Sequence, residues 1–170
     1  MIKAILIINN HGKPRLVKFF ERYSEVQQQQ IIRECFGLVS KRSEHVCNFL
    51  EGGAGWDKDT KLIYRHYATL YFIFCVDESE SELGILDLIQ VFVETLDKNF
   101  ENVCELDLIF HSEKIHYILD EIIMGGLVLE TNLPDIMAVL DQHKKLEKEE
   151  ATGLKNIQDA FSGMTGKRVP

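Results

Sequence analysis

The chain opens on an unbroken apolar run, Ile2 to Ile8, rich in β-branched residues, which is the pattern of a strand buried on both faces. "NNHGKP" follows as a turn, and "RLVKFF" reads as a second strand, so the first predicted unit is a hairpin. Ser24-Glu25 starts a helix through "VQQQQIIRECFGLVSKR", whose apolar positions 31, 32, 35, 36 and 39 have helical spacing. "HVCNFLE" predicts a short strand and "GGAGWDKDT" a glycine-rich connection. Lys61 to Val76 is apolar and aromatic almost throughout. As one strand it would be roughly 50 Å long at about 3.3 Å per residue, too long for a small domain. The small Ala68, in "YRHYATLYFIFCVD", followed by Thr69, therefore predicts a turn between "KLIYRHY" and "LYFIFCV". The count is five strands in one antiparallel sheet.

Asp77-Glu78-Ser79-Glu80 ends the sheet and places negative charge at the start of a helix, where it is favourable. In "ELGILDLIQVFVETLDKNF", Asp87, Gln90, Glu94, Asp97 and Lys98 fall within an arc of about 100°. Leu86, Leu88, Ile89, Val91, Phe92, Val93, Leu96 and Phe100 take about 220° of the rest, whereas one sheet needs a stripe of little more than about 100°. The pattern predicts cover on two sides, either from the next helix or from another chain. That next helix is expected over "ELDLIFHSEKIHYILDEIIM", closed by Gly125-Gly126 at the left-handed cap position. A last helix is expected from near Asn132, with Pro134 in its first turn, into "DQHKKLEKEE". From there the predicted organisation is an α+β domain over residues 1–149 and a mobile tail over 150–170.

With 170 residues, 45% hydrophobic and 27% charged, the chain suits one soluble domain. Its net charge of −8 argues against general nucleic-acid binding. Residues 1–22 are the exception: Lys3, Lys13, Arg15, Lys18 and Arg22 stand against Glu21 alone. Two readings remain open for this local basic excess, a patch for an acidic ligand or membrane, or lysines guarding a sheet edge. Cysteines 35, 47, 75 and 104 form no C-x-x-C pair and all lie among apolar neighbours, so neither zinc nor disulfide use is expected. The apolar run at the start is too short for a membrane span and lacks a signal-peptide layout, which points to a cytosolic chain.

Neither glycine-rich stretch has the order of a phosphate loop. His66, Cys75 and Asp77 are the nearest approach to a catalytic set, but a thiol in the middle of an apolar run would hold its proton. His111 and His116 are five apart and miss the i, i+4 spacing of a helical metal pair. The chain is not expected to be an enzyme or to carry a metal or other cofactor.

Longer stretches carry a resemblance. "MIKAILIINNHGKPRLVKFF", "KLIYRHYATLYFIFCVD", "ESELGILDLIQVFVETLDKNFENVCELDLIFH" and "MGGLVLETN" resemble the sigma (small) chains of clathrin-adaptor-type complexes, most closely the version in adaptor protein complex 3, over roughly residues 1–148. The resemblance implies a longin-like fold, a five-stranded antiparallel sheet flanked by helices on both faces. It implies a heterotetramer with delta-type and beta large chains and a mu chain, the delta chain embracing this one. It implies cargo sorting from Golgi or endosomes to lysosomes and related organelles, peripheral to those membranes. It further implies that the chain helps bind acidic dileucine signals, [DE]-x-x-x-L-[LI]. The leucine pocket would be lined by Ala68, Leu70, Val93, Val103 and Leu108, with Asn102 close by and Arg15 meeting the acidic residue. On that reading Ala68 is small so that a guest leucine can enter. The alternatives are a sigma chain of adaptor complex 1 or 2, a longin regulatory module of a vesicle-fusion protein, and a thiol enzyme centred on Cys75.

Overall fold

The computed structural model describes residues 1–43, 48–51, 56 and 59–165, with side chains through residue 158. Five strands form one antiparallel sheet: β1 (Ile2–Asn9), β2 (Pro14–Phe19), β3 (Phe49–Glu51), β4 (Lys61–Tyr67) and β5 (Leu70–Val76). Their order across the sheet is β2-β1-β5-β4-β3, so the all-apolar β1 lies inside it, paired on both edges. Every residue of β1 is buried, as its unbroken apolar run predicts. The expected strand over "HVCNFLE" appears as β3, although its residues 45–47 lie outside the described residues, as does most of the glycine-rich connection to β4.

Helix α1 (Glu25–Val39) covers one face of the sheet. Its start is a reciprocal cap: the Gln27 N–H donates to Ser24 Oγ at 3.4 Å and the Ser24 N–H donates to Gln27 Oε1 at 2.9 Å. Its Ile31, Ile32, Cys35 and Val39 pack with Ala4, Leu6 and Ile8 of β1, Leu62 and Tyr64 of β4, and Ile73 and Cys75 of β5. Helix α2 (Glu82–Phe100) covers the other face, where the alternate residue Phe72 meets Phe92 edge-on, ring centroids 6.1 Å apart.

The third expected helix is two. Helix α3 (Glu105–Phe110) ends at His111, whose backbone leaves the helical region (φ −123°, ψ 36°), and α4 (Ser112–Ile122) starts immediately after it. The His111 ring stacks on Phe100 at 5.7 Å, and the Lys114 ammonium lies 4.4 Å from the centre of the same ring. Gly125-Gly126 does not cap a helix. With φ of +59° and +81° it forms the two-residue turn between β6 (Ile123–Met124) and β7 (Leu127–Val128), a small separate hairpin. This hairpin is tied to the large sheet, because the Ile2 N–H donates to the Gly126 carbonyl at 3.0 Å.

The chain divides into two compact units, Met1–Leu133 and Pro134–Pro170. The second is the body of helix α5 (Leu133–Thr165), which starts where Pro134 predicts. The expected boundary at 149–150 falls inside this helix, and the segment read as a tail is helical through Thr165. Leu146, Leu154 and Ile157 on it are exposed. No helix among the described residues is long and apolar enough to cross a membrane.

Candidate functional site

Tyr67 and Leu70 pair across the β4–β5 turn, leaving Ala68 and Thr69 as a two-residue connection. Ala68 is exposed and has φ +52°, in the left-handed region that bulky side chains resist. Its small size thus has a backbone reason, apart from any guest. The turn is anchored on its neighbour, since the Asn10 N–H donates to the Thr69 carbonyl at 2.9 Å. Leu70 faces the α2 side, because it alternates in register with Phe72.

On α2, the covering expected from the apolar pattern comes mostly from this chain. Leu86, Leu88, Ile89, Phe92 and Leu96 are buried, with β4, β5 and α4 against the helix. Val91, Val93 and Phe100 remain half-buried. The Tyr67 hydroxyl donates to Gln90 Oε1 at 2.6 Å, which fixes the helix beside the β4–β5 turn one turn before Val93.

After α2 the chain reverses through Glu101 and Asn102, both at positive φ (+52° and +79°). Asp97 gathers this turn: its carbonyl accepts from Asn102 N at 3.2 Å and its Oδ1 from Val103 N at 3.0 Å. Asn tolerates the left-handed region well, so Asn102 serves the turn directly. Asp107 Oδ2 accepts from the Cys104 N–H at 2.9 Å, and that bond holds the Asp107 carboxyl below its ordinary value. Cys104 is exposed at the start of α3, a correction to the expectation that every cysteine sits in apolar surroundings. Val103 is half-buried, Asn102 exposed and Leu108 only 1% exposed.

Arg15, on the edge strand β2, donates from Nε and Nη2 to Glu105 Oε1, both at 2.7 Å. Asn9 Nδ2 donates to the same oxygen at 2.9 Å. The Asn9 bond first, and then Arg15, keep the Glu105 carboxyl below its ordinary value. Asn9 Oδ1 meanwhile accepts from the His11 and Lys13 backbone, so one side chain ties the β1–β2 turn to α3. The basic excess of residues 1–22 is thus partly engaged inside the chain, while Lys13 and Arg22 are exposed. Lys18 pairs with Asp120, and Lys3 is buried with its ammonium on Thr60 Oγ1 at 3.0 Å.

These bonds bring Leu70, Arg15 and the α3 start to one end of the sheet through Asn9, which pairs with Leu70 across β1–β5. Tyr67 brings the α2 segment bearing Val93 to the same turn. Ala68 also borders a different space, a groove of about 620 Å³ on the opposite side, between Val39 and Arg42 of the α1 end and Tyr64, His66 and Tyr71 of the sheet. None of the other expected pocket residues lines that groove. Leu70 and Leu108 are covered by the chain's own atoms, whereas Ala68 is exposed and Val93 and Val103 are half-buried.

The catalytic set does not assemble. His66 is exposed and stacked on Tyr71 at 4.2 Å, while Asp77 accepts from Ser79 at the sheet's end. Cys75 is fully buried beside Cys35; burial first, and then Cys35, push its thiol well above the usual value.

Residues 1–147 match the family model "Clathrin adaptor complex small chain". The chain belongs to this family. It is 72% identical over 153 residues to the AP-3 complex subunit sigma of Dictyostelium discoideum, covering 88% of this chain and 90% of that protein. Human AP-3 complex subunit sigma-2 is 69% identical over 151 residues, 88% of this chain and 78% of the human protein. The Arabidopsis thaliana AP-3 complex subunit sigma is 47% identical over 167 residues, 98% of this chain and all of that one. Among structures, a chain of a homology model of the full-length AP-3 complex in a stretched open conformation matches at TM-score 0.69 and 39% identity. That match covers 90% of this chain and 99% of the other. The chain is a clathrin-adaptor small chain of the AP-3 sigma type, with the longin-like fold of that family and no catalytic role.

Proposed function

We propose that this chain works as the sigma subunit of an AP-3 coat adaptor and helps that adaptor bind acidic dileucine signals in cargo tails. The observation that carries the first half is its 69–72% identity to AP-3 sigma subunits over most of its length. On this reading it is held by a delta-type large chain, with beta and mu chains completing the complex. Cargo passes from Golgi or endosomes toward lysosomes and related organelles, and the chain meets those membranes only peripherally. Residues 1–149 form the adaptor domain, with 150–170 an appendage to it.

The second half is supported by the exposure of Ala68, the half-burial of Val93 and Val103, and the Tyr67–Gln90 bond that brings the α2 segment bearing Val93 to the β4–β5 turn. Two leucines entering such a site contribute on the order of 3–6 kcal/mol. Ordering the peptide removes several kcal/mol of that, and a charge-assisted bond at the acidic end adds about 1.5–3 kcal/mol. These terms alone fall short of a micromolar contact, about −8 kcal/mol, so on this reading other chains of the complex supply the remainder, in keeping with cargo gathered through several weak contacts on one membrane. The test is titration of the assembled complex with a Glu-x-x-x-Leu-Leu peptide. Micromolar binding is expected, abolished by Val93→Asp with the complex intact and weakened by Arg15→Ser. Unchanged affinity in both variants would leave Ala68, Val93 and Val103 as packing residues only.

A further inference from the structure

Arg15 is the only residue of this chain assigned to the acidic end of the signal, yet its charge is already matched inside the chain. Glu105 takes both its Nε and its Nη2 at 2.7 Å on a single oxygen. Both side chains are only about a quarter exposed, at 21% and 26%, so water screens the pair incompletely. Asn9, itself 4% exposed, donates to that same oxygen and keeps the Glu105 carboxylate from swinging away. The outer Nη1 edge of the guanidinium has no partner among the described residues, so a carboxylate can still reach it. A carboxylate arriving there meets the attraction of Arg15 and, a few ångströms behind it, the repulsion of Glu105.

Resting on the dileucine reading above, we propose that Glu105 is a specificity-determining residue for the acidic position of the signal. By neutralising Arg15 it lowers the preference for a carboxylate over an amide four residues before the leucine pair. It does so without touching the leucines, since it stands at the Arg15 end of α3 and Leu108 lies one turn further along. A chain with an amide at 105 keeps an oxygen to accept from Arg15 and Asn9 but leaves the guanidinium charge unopposed. The acidic selectivity of this adaptor is thus set by a residue whose own charge has the wrong sign for the ligand.

The experiment compares two peptides, Glu-x-x-x-Leu-Leu and Gln-x-x-x-Leu-Leu, on assembled complex carrying wild-type chain, Glu105→Gln, Arg15→Ser, or both substitutions. The readout is the ratio of the two peptides' dissociation constants, which a general loosening of the fold would not move. Glu105→Gln is expected to raise the preference for the acidic peptide about five- to tenfold over wild type, and Arg15→Ser in the same chain to remove that gain. The Gln peptide is expected to bind wild type and Glu105→Gln within about twofold. A ratio unchanged or lowered by Glu105→Gln, with both peptides still bound through their leucines, overturns the proposal and leaves the dileucine reading standing. Absence of leucine-dependent binding in every chain overturns both.

Discussion

Gly126 is the residue whose replacement the structure resists most clearly. Its φ of +81° is strained for any L side chain, and a Cβ there would lie 2.4 Å from the Ile2 carbonyl oxygen. That oxygen belongs to Ile2, whose backbone pairs with Val76 in the sheet and donates its N–H to the Gly126 carbonyl, so it cannot give way cheaply. Gly125 also has positive φ but has open space around it. Gly126→Ala is expected to destabilise the chain by about 2–4 kcal/mol and Gly125→Ala by about 1 kcal/mol, read from urea unfolding midpoints. Equal effects would show that backbone strain alone governs the turn. The sequence marks both glycines as chain-reversal residues, but not that the reversal is a hairpin. A Gly-Gly pair after a helical pattern serves a helix cap or a two-residue turn equally well, and only the pairing of Ile123 with Val128 decides. At Ala68 the small residue is legible as a turn, while its positive φ is not, because a left-handed backbone leaves no mark on composition.

At the scale of elements, β1, β2, β4 and β5 are legible nearly residue for residue, since β-branched runs bounded by turn residues have few other outcomes. The broad apolar surface of α2 is legible too; what covers it is not. The structure assigns most of that cover to β4, β5 and α4, leaving Val91, Val93 and Phe100 half-buried. Neighbouring positions on α2 therefore answer to different forces. Phe92 is fully buried against Phe72, so Phe92→Ala is expected to cost about 3–5 kcal/mol in thermal or urea unfolding. Val93→Asp, at the half-exposed edge, is expected to cost under about 1.5 kcal/mol in the same assay while removing peptide binding. The break between α3 and α4 has no local signal. "ELDLIFHSEKIHYILDEI" keeps helical spacing throughout, and His111 departs from it where its ring meets Phe100 of another helix.

Across the whole molecule, the candidate site draws on segments far apart in sequence, which is why its electrostatics stay hidden in the sequence. Arg15 and Glu105 are 90 residues apart, and nothing near either announces the pair. The basic excess of residues 1–22 looks like a free patch in one dimension, whereas in the fold Arg15 and Lys18 each meet an acid brought from the α3–α4 region. The apolar members of the candidate site, by contrast, are legible only through long stretches of family resemblance; packing logic alone gives Leu70 and Leu108 to the core, where they are buried. The most direct test of the account is photo-crosslinking of the assembled complex with a Glu-x-x-x-Leu-Leu peptide whose leucines are replaced by photo-leucine, followed by mass spectrometry. Adducts are expected on Ala68, Val93 or Val103, lost on competition with unlabelled peptide. Competed adducts confined to other subunits, or to the groove between Arg42 and Tyr71, would contradict it.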